Sequence, residues 1–213
     1  MNIKTLHRVN GTVLAVFVFM HMVTHLSGLF GIAAYSATQT AMRYLYRNPI
    51  TEPVLLLAFA LQVGIGIQLL SKGFKRKMAE RWARTQALSG LILALFISQH
   101  LVALILTRWA DGLDTTFYWP ASVMSDAPFY WYFAPYYFLG VCAMFVHLAC
   151  AIRLNLLRRK RPHAARRLFW GLSLVGIVVA VAINLMLHGL FYDIVLPEQW
   201  VAYLRKYVPD YGL

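Results

Sequence analysis

Five long apolar runs alternate with short polar connections along the 213 residues of the chain. They lie at about 11–34, 53–71, 86–107, 131–153 and 168–192. Each is long enough, as a helix rising about 1.5 Å per residue, to cross roughly 30 Å of hydrocarbon. The pattern predicts an all-α integral membrane five-helix bundle, one domain over 1–213. The first run does not read as a signal peptide: its polar head MNIKTLHRVN is short, the run is long, and no Ala-x-Ala cleavage site follows. Pro53 suits a first-turn position, where a missing N–H is harmless. Pro135 falls near the start of the fourth run. Segments 35–47 and 197–213 are expected as short interfacial helices. The aromatic stretch 117–137 reads as an outer loop running into the fourth span, an interfacial belt or the wall of a cleft.

Composition agrees. Hydrophobic residues make up 60% of the chain and charged residues 13%, about half the usual charged share of a soluble domain. A soluble enzyme is thereby disfavoured, and so is a disordered chain. Charge then adds an orientation. Lys4, Arg8, the loop between the second and third spans, and the loop between the fourth and fifth carry 15 of the 20 Lys and Arg residues and one acid, Glu80. The other side has five basic residues and seven acids, so the net +12 divides into +14 and −2. The positive-inside rule places the N-terminus and both basic loops in the cytoplasm and the C-terminus outside. A bacterial-type inner membrane is the expected location. The basic residues sit in two short juxtamembrane loops without a reading module, so nucleic acid is not an expected partner.

Candidate chemistry rests on histidine. Five of the seven histidines fall in the apolar runs: His21, His25, His100, His147 and His188. Ionisable groups at membrane depth are costly and usually functional. A neutral imidazole is tolerable there if both ring nitrogens are used. No Asp or Glu lies deep in any run, which disfavours a proton-coupled site or a carboxylate-bridged metal centre. Histidines on separate helices without carboxylates point instead to axial ligation of b-type haem, one or two per chain. His21 and His25 share a face, and Leu14, Asn10 and His7 roughly continue it. Gly140 is seven residues before His147 and would let a flat ring approach. Asn184, one turn before His188, could bond an imidazole or a haem edge. Depth matches His21 with His147, and His100 with His188, with His25 as competitor. Cys142 and Cys150 lie within a span and read as small packing residues rather than a disulfide.

The opening LHRVNG, followed by an apolar run and FMHMVTHLSG, resembles the start of cytochrome b membrane anchors of succinate dehydrogenases and fumarate reductases. QALSGLILALFISQHLVAL carries a similar small-residue-then-histidine pattern. The resemblance implies five spans, two b haems, docking to a cytoplasmic iron–sulfur subunit and flavoprotein, and exchange of electrons with membrane quinone. It carries haem ligation over to His21, His147 and His188. The second span departs from the family pattern: it has Gln62 and Gln68 but no histidine, while His100 stands in the third. His7, Arg8 and Asn10 could bond a quinone carbonyl or simply form a basic helix start, and Gln62 and Gln68 could do the same or bind neighbouring helices. The chain is then a non-catalytic or quinone-reactive subunit of an oxidoreductase, with the redox chemistry belonging to the cofactor. The basic face offers a docking surface for an acidic subunit, or topology and attraction to membrane lipid explain it alone. A transporter or assembly factor is the rival reading, but the inverted repeats and broken spans that would support it are not evident. A pigment-binding subunit with singly ligating histidines is the other.

Overall fold

The computed structural model describes residues 2–212, and they form an all-α bundle. Five helices are long and apolar enough to cross a membrane: α1 (Ile3–Ser27, with a further turn to Phe30), α3 (Thr51–Ser71), α5 (Arg81–Ile105, widening into a π turn to Ala110), α7 (Phe129–Arg158) and α8 (Pro162–Leu187). Between and after them lie α2 (Ile32–Tyr46), α4 (Phe74–Ala79), α6 (Tyr118–Ser125) and α9 (Glu198–Arg205).

Local chemistry sets the ends of these helices, and it moves them away from the ends of the apolar runs. Asn2 accepts a bond from the Lys4 N–H, so α1 begins in the polar head, well before residue 11. Gly31, at φ +111°, turns the chain out of α1 and into α2. Such a φ strains any residue with a Cβ. Glu80 caps α5 by accepting from the backbone N–H groups of Trp82 and Ala83. Those two bonds hold the Glu80 carboxyl below its ordinary value. Lys77 reaches back to the carbonyls of Leu69, Leu70 and Lys72, closing the C-terminus of α3 with a cation. Pro162 sits in the first turn of α8, and Gly189, at φ +83°, ends it.

The long helices close a ring. α1 packs on α3, α3 on α5, α5 on α7, α7 on α8, and α8 touches α1. The α7–α8 seam is close because Gly176 gives way to Phe145: a Cβ there would lie 2.5 Å from the Phe145 Cβ. Large apolar side chains face outward all around the ring, among them Val16, Phe19, Leu57, Leu95, Leu174 and Val178. An outer surface of this kind is consistent with lipid as its solvent, since a monomeric soluble protein rarely exposes so continuous an apolar surface.

One end of the ring is capped. Tyr35 of α2, Phe117, Ala121 and Met124 around α6, and Ile183, Met186 and Leu187 of α8 form a buried cluster. Trp200 and Leu204 of α9 are buried, and the hydroxyl of buried Tyr211 bonds the Ser122 carbonyl. Ion pairs hold the cap together: Arg43 and Arg47 with Asp114 at 2.9 and 2.6 Å, Lys206 with Asp111 at 2.9 Å, and Arg108 with Glu52. Burial pushes the Asp114 carboxyl up, but the guanidiniums of Arg47 and Arg43 outweigh this and leave it below its ordinary value. The expected helices at 35–47 and 197–213 correspond to α2 and α9, although Leu213 lies outside the described residues. The stretch read as an aromatic outer loop instead contains α6, whose residues Pro120, Ala121, Ser122 and Met124 are buried. The opposite end carries the N-terminus, α4 and the three-residue turn 159–161, and most of the basic residues.

Candidate functional site

Two layers of imidazoles line the interior of the ring. Toward the cap, His21 and His25 lie one turn apart on α1, and their Nε2 atoms are 3.2 Å from each other. A hydrogen bond of that kind makes one ring the donor and the other the acceptor. His100 of α5 faces this pair, its ring centroid 6.1 Å from that of His21. Each helix repeats an aromatic one turn before its imidazole. Phe17 stacks on His21 at 5.7 Å and Phe96 on His100 at 5.8 Å, because residues four apart share a helix face. Trp119 of α6 lies 5.2 Å from His100, and Tyr35 of α2 lies 5.6 Å from His25. The Nδ1 of His25 is buried without a partner. A recess of about 200 Å³ reaches His100 from between α5, α6, α7 and α9, past Gln99, Tyr136 and Tyr203.

Toward the basic end the layer is built on α1, α3, α5 and α7. Asn10 donates to the Ala58 carbonyl at 2.9 Å and to Gln62 Oε1 at 2.8 Å, and the Gln62 amide meets His7 Nε2 at 3.4 Å. Two glycines make room for this network. A Cβ at Gly11 would lie 2.7 Å from the Gln62 amide nitrogen, and one at Gly66 would lie 3.4 Å from the His7 ring. The other nitrogen of His7, Nδ1, is buried without a partner. On α7, His147 Nδ1 lies 3.2 Å from the Gln86 carbonyl and 3.3 Å from Ser89 Oγ. Since a carbonyl only accepts, the proton belongs on Nδ1 and the Nε2 lone pair is left free. Gly90 allows the close approach: a Cβ there would meet the His147 ring at 2.9 Å. His7 lies within electrostatic reach of His147.

The neighbourhoods therefore differ from those counted by depth. His21 stands with His25 and His100, while His147 stands with Gln86 and Ser89. His188 caps the C-terminus of α8, is exposed, and binds the Met124 carbonyl through Nδ1 at 3.0 Å, with its ring 4.5 Å from that of Tyr130. Asn184 donates to Ala180 of its own helix rather than to an imidazole. Gly140 does admit a flat ring, but the ring is that of Phe96. Arg8 is exposed, and Gln62 binds the neighbouring helix α1. Cys142 and Cys150 are both free thiols, Cys150 buried beside Ala149 and Phe169. Ser89, Gln86 and Gly90 carry no signature from which their contact with His147 could be read.

The titratable donors of the interior are imidazoles, in largely aromatic surroundings. Among the described residues, no group of three or more His, Cys, Asp or Glu side chains is arranged to hold a metal ion by itself. What the arrangement offers is imidazole nitrogens in ones and twos on opposing helices. No protein-family model, curated protein or solved structure matches the chain.

Proposed function

We propose that the chain is a haem-b electron-transfer subunit, the membrane anchor of a succinate- or fumarate-type oxidoreductase. The observation that carries this reading is the environment of His147. Its Nδ1 is fixed by a carbonyl and a hydroxyl, which is the outer-shell arrangement that orients an imidazole and leaves Nε2 to bind a metal.

The residues present fit the group. The donors are neutral imidazoles with aromatic rings stacked beside them, and no carboxylate competes. Among the described residues His25 holds a buried ring nitrogen that no protein atom satisfies. His147 would serve toward the basic end, where His7 could join it only by giving up its bond to the Gln62 amide, and His100 with His21 or His25 toward the cap. The two members of the His21–His25 bond satisfy each other, so only one of them is needed as a ligand there. When bound, haem supplies one-electron chemistry. The chain's own contribution is to orient the imidazoles, to surround them with Phe17, Phe96 and Trp119, and to keep charge away. In the wider reading the charge division puts the basic end in the cytoplasm of a bacterial-type inner membrane and the cap outside, with an iron–sulfur subunit and flavoprotein docked on the basic end and quinone as the lipid-soluble partner.

The test is a reduced-minus-oxidised spectrum of the purified chain, with haem content per chain. A low-spin b-type spectrum with two haems is expected. His147→Leu should then remove the haem nearer the basic end, and His100→Leu the one nearer the cap, while His188→Leu leaves both. A chain that takes up no haem in cells or on reconstitution overturns the proposal.

A further inference from the structure

A second recess lies outside the ring, at the basic end, where the start of α5 meets the end of α7. It encloses about 280 Å³ and is lined by Glu80, Trp82, Ala83, Gln86, Cys150, Arg153 and Leu154. Cys150, Arg153 and Leu154 follow the three- and four-residue spacing of one helix face. Trp82 sets the geometry. Its ring is wedged edge-on against Phe169 of α8 at 5.0 Å, and the Arg153 guanidinium lies over it at 3.7 Å. Arg81 approaches the same ring at 5.6 Å. Stacking fixes the plane of the Arg153 guanidinium without using its N–H groups. Among the described residues those groups have no hydrogen-bond or ion-pair partner.

We infer that this recess is a binding site for the headgroup of an anionic phospholipid. A planar guanidinium held by an indole, with its donor edge free, suits a phosphodiester. The one carboxylate in the lining, Glu80, is already engaged by two backbone N–H groups of α5. The remaining wall, formed by Trp82, Ala83, Cys150 and the exposed Leu154, is apolar and suits the start of an acyl chain. That division between a cationic edge and an apolar wall favours an amphiphile over free phosphate or an acidic protein segment. Gln86 belongs to both places: it lines the recess, and its carbonyl holds His147. Lipid seated there would brace the α5–α7 contact that positions His147. The inference is independent of haem, because it can be read on the chain without any haem bound.

The experiment is a titration of the full-length chain, stripped of lipid in a neutral detergent, with thermal unfolding as the readout. Phosphatidylglycerol, phosphatidylcholine and inorganic phosphate are compared. Phosphatidylglycerol is expected to raise the unfolding temperature in a saturable way, and the other two to leave it unchanged. Arg153→Gln should raise the half-saturating phosphatidylglycerol concentration about fivefold. The pair Arg158→Gln and Arg159→Gln, on the exposed turn, should leave it within about twofold. Arg153→Lys keeps the charge and loses the planar stack, so an intermediate weakening is expected, and this variant serves if the glutamine variant does not fold. Equal stabilisation by phosphatidylcholine or by phosphate overturns the inference. So does an equal weakening by the turn variants, which would assign the effect to diffuse charge, and so does unchanged binding in both Arg153 variants.

Discussion

At the capped end, each of the five basic residues faces a carboxylate: Arg43 and Arg47 share Asp114, Arg108 meets Glu52, Lys206 meets Asp111, and Arg205 stands 3.8 Å from Glu198. At the basic end, fifteen Lys and Arg residues accompany a single acid, and none forms an ion pair among the described residues. Of the first set, the Arg43, Arg47 and Lys206 pairs tie α2 and the end of α9 to the segment 111–114, Arg108 and Glu52 join α5 to α3, and Arg205 and Glu198 lie within α9. The second leaves its donors free, apart from Lys77 on the α3 carbonyls and Arg153 on the Trp82 ring. Similar side chains are thus structural at one end and available at the other. Whether an acid was placed beside them makes the difference.

That contrast can be broken most severely inside the cap. Trp200 is fully buried, and its indole N–H has no partner among the described residues. Trp200→Ala should lower stability by about 3–4 kcal/mol through lost burial and the cavity left behind. Trp200→Phe keeps an aromatic ring and loses no hydrogen bond, so it should cost about 1 kcal/mol or less. Unfolding in detergent, followed by near-ultraviolet dichroism, compares the two, and a large loss on Trp200→Phe would show that the N–H is satisfied after all. Arg108→Ala comes next. It strands Glu52 in a half-buried place, with an expected loss of about 2 kcal/mol by the same measurement. Arg108→Ala combined with Glu52→Ala should recover part of it.

A smaller effect follows from pH. The folded Asp114 carboxyl titrates below its unfolded value. Its contribution is therefore complete above about pH 4 and is lost as pH falls through the lower, folded value. Half exposed to solvent, it should contribute modestly. The cap of wild-type protein is expected to loosen on acidification, and that of Asp114→Asn to lose this component; protease cleavage near residues 111–117 reports it. The smallest effect belongs to the other end. Arg158→Gln and Arg159→Gln should change stability by less than about 0.5 kcal/mol each, because neither has a partner to lose. A loss comparable to that of Arg108→Ala would erase the contrast between the two ends.

How much of this the sequence discloses depends on the length scale of the signal. The five long helices are legible because each is announced by some twenty apolar residues. The cap is not. The segment 118–125 is rich in aromatic residues, as an interfacial loop would be, and only contact with Tyr35 and Met186 distinguishes a buried helix from a belt. The imidazoles were legible as a group, but their neighbours were not, for a reason visible at the helix ends. The apolar runs that set the expected depths begin near residue 11 and end near residue 192. The helices instead run from Ile3 and stop at Leu187. That shift takes His188 out of the ring and brings His7 into it. Contacts such as Gln86 with His147 join residues 61 apart and leave no local trace.

The short turn at 159–161 has a consequence for how such a chain is made. Three residues cannot cross a bilayer, so α7 and α8 cannot be delivered one after the other from opposite sides. They enter together as a hairpin, with Arg158, Arg159, Lys160 and Arg161 at its tip. The link through α4 imposes the same on α3 and α5. Assembly then becomes one lone helix and two hairpins. The residues around His147 come together only when the second hairpin closes against the first.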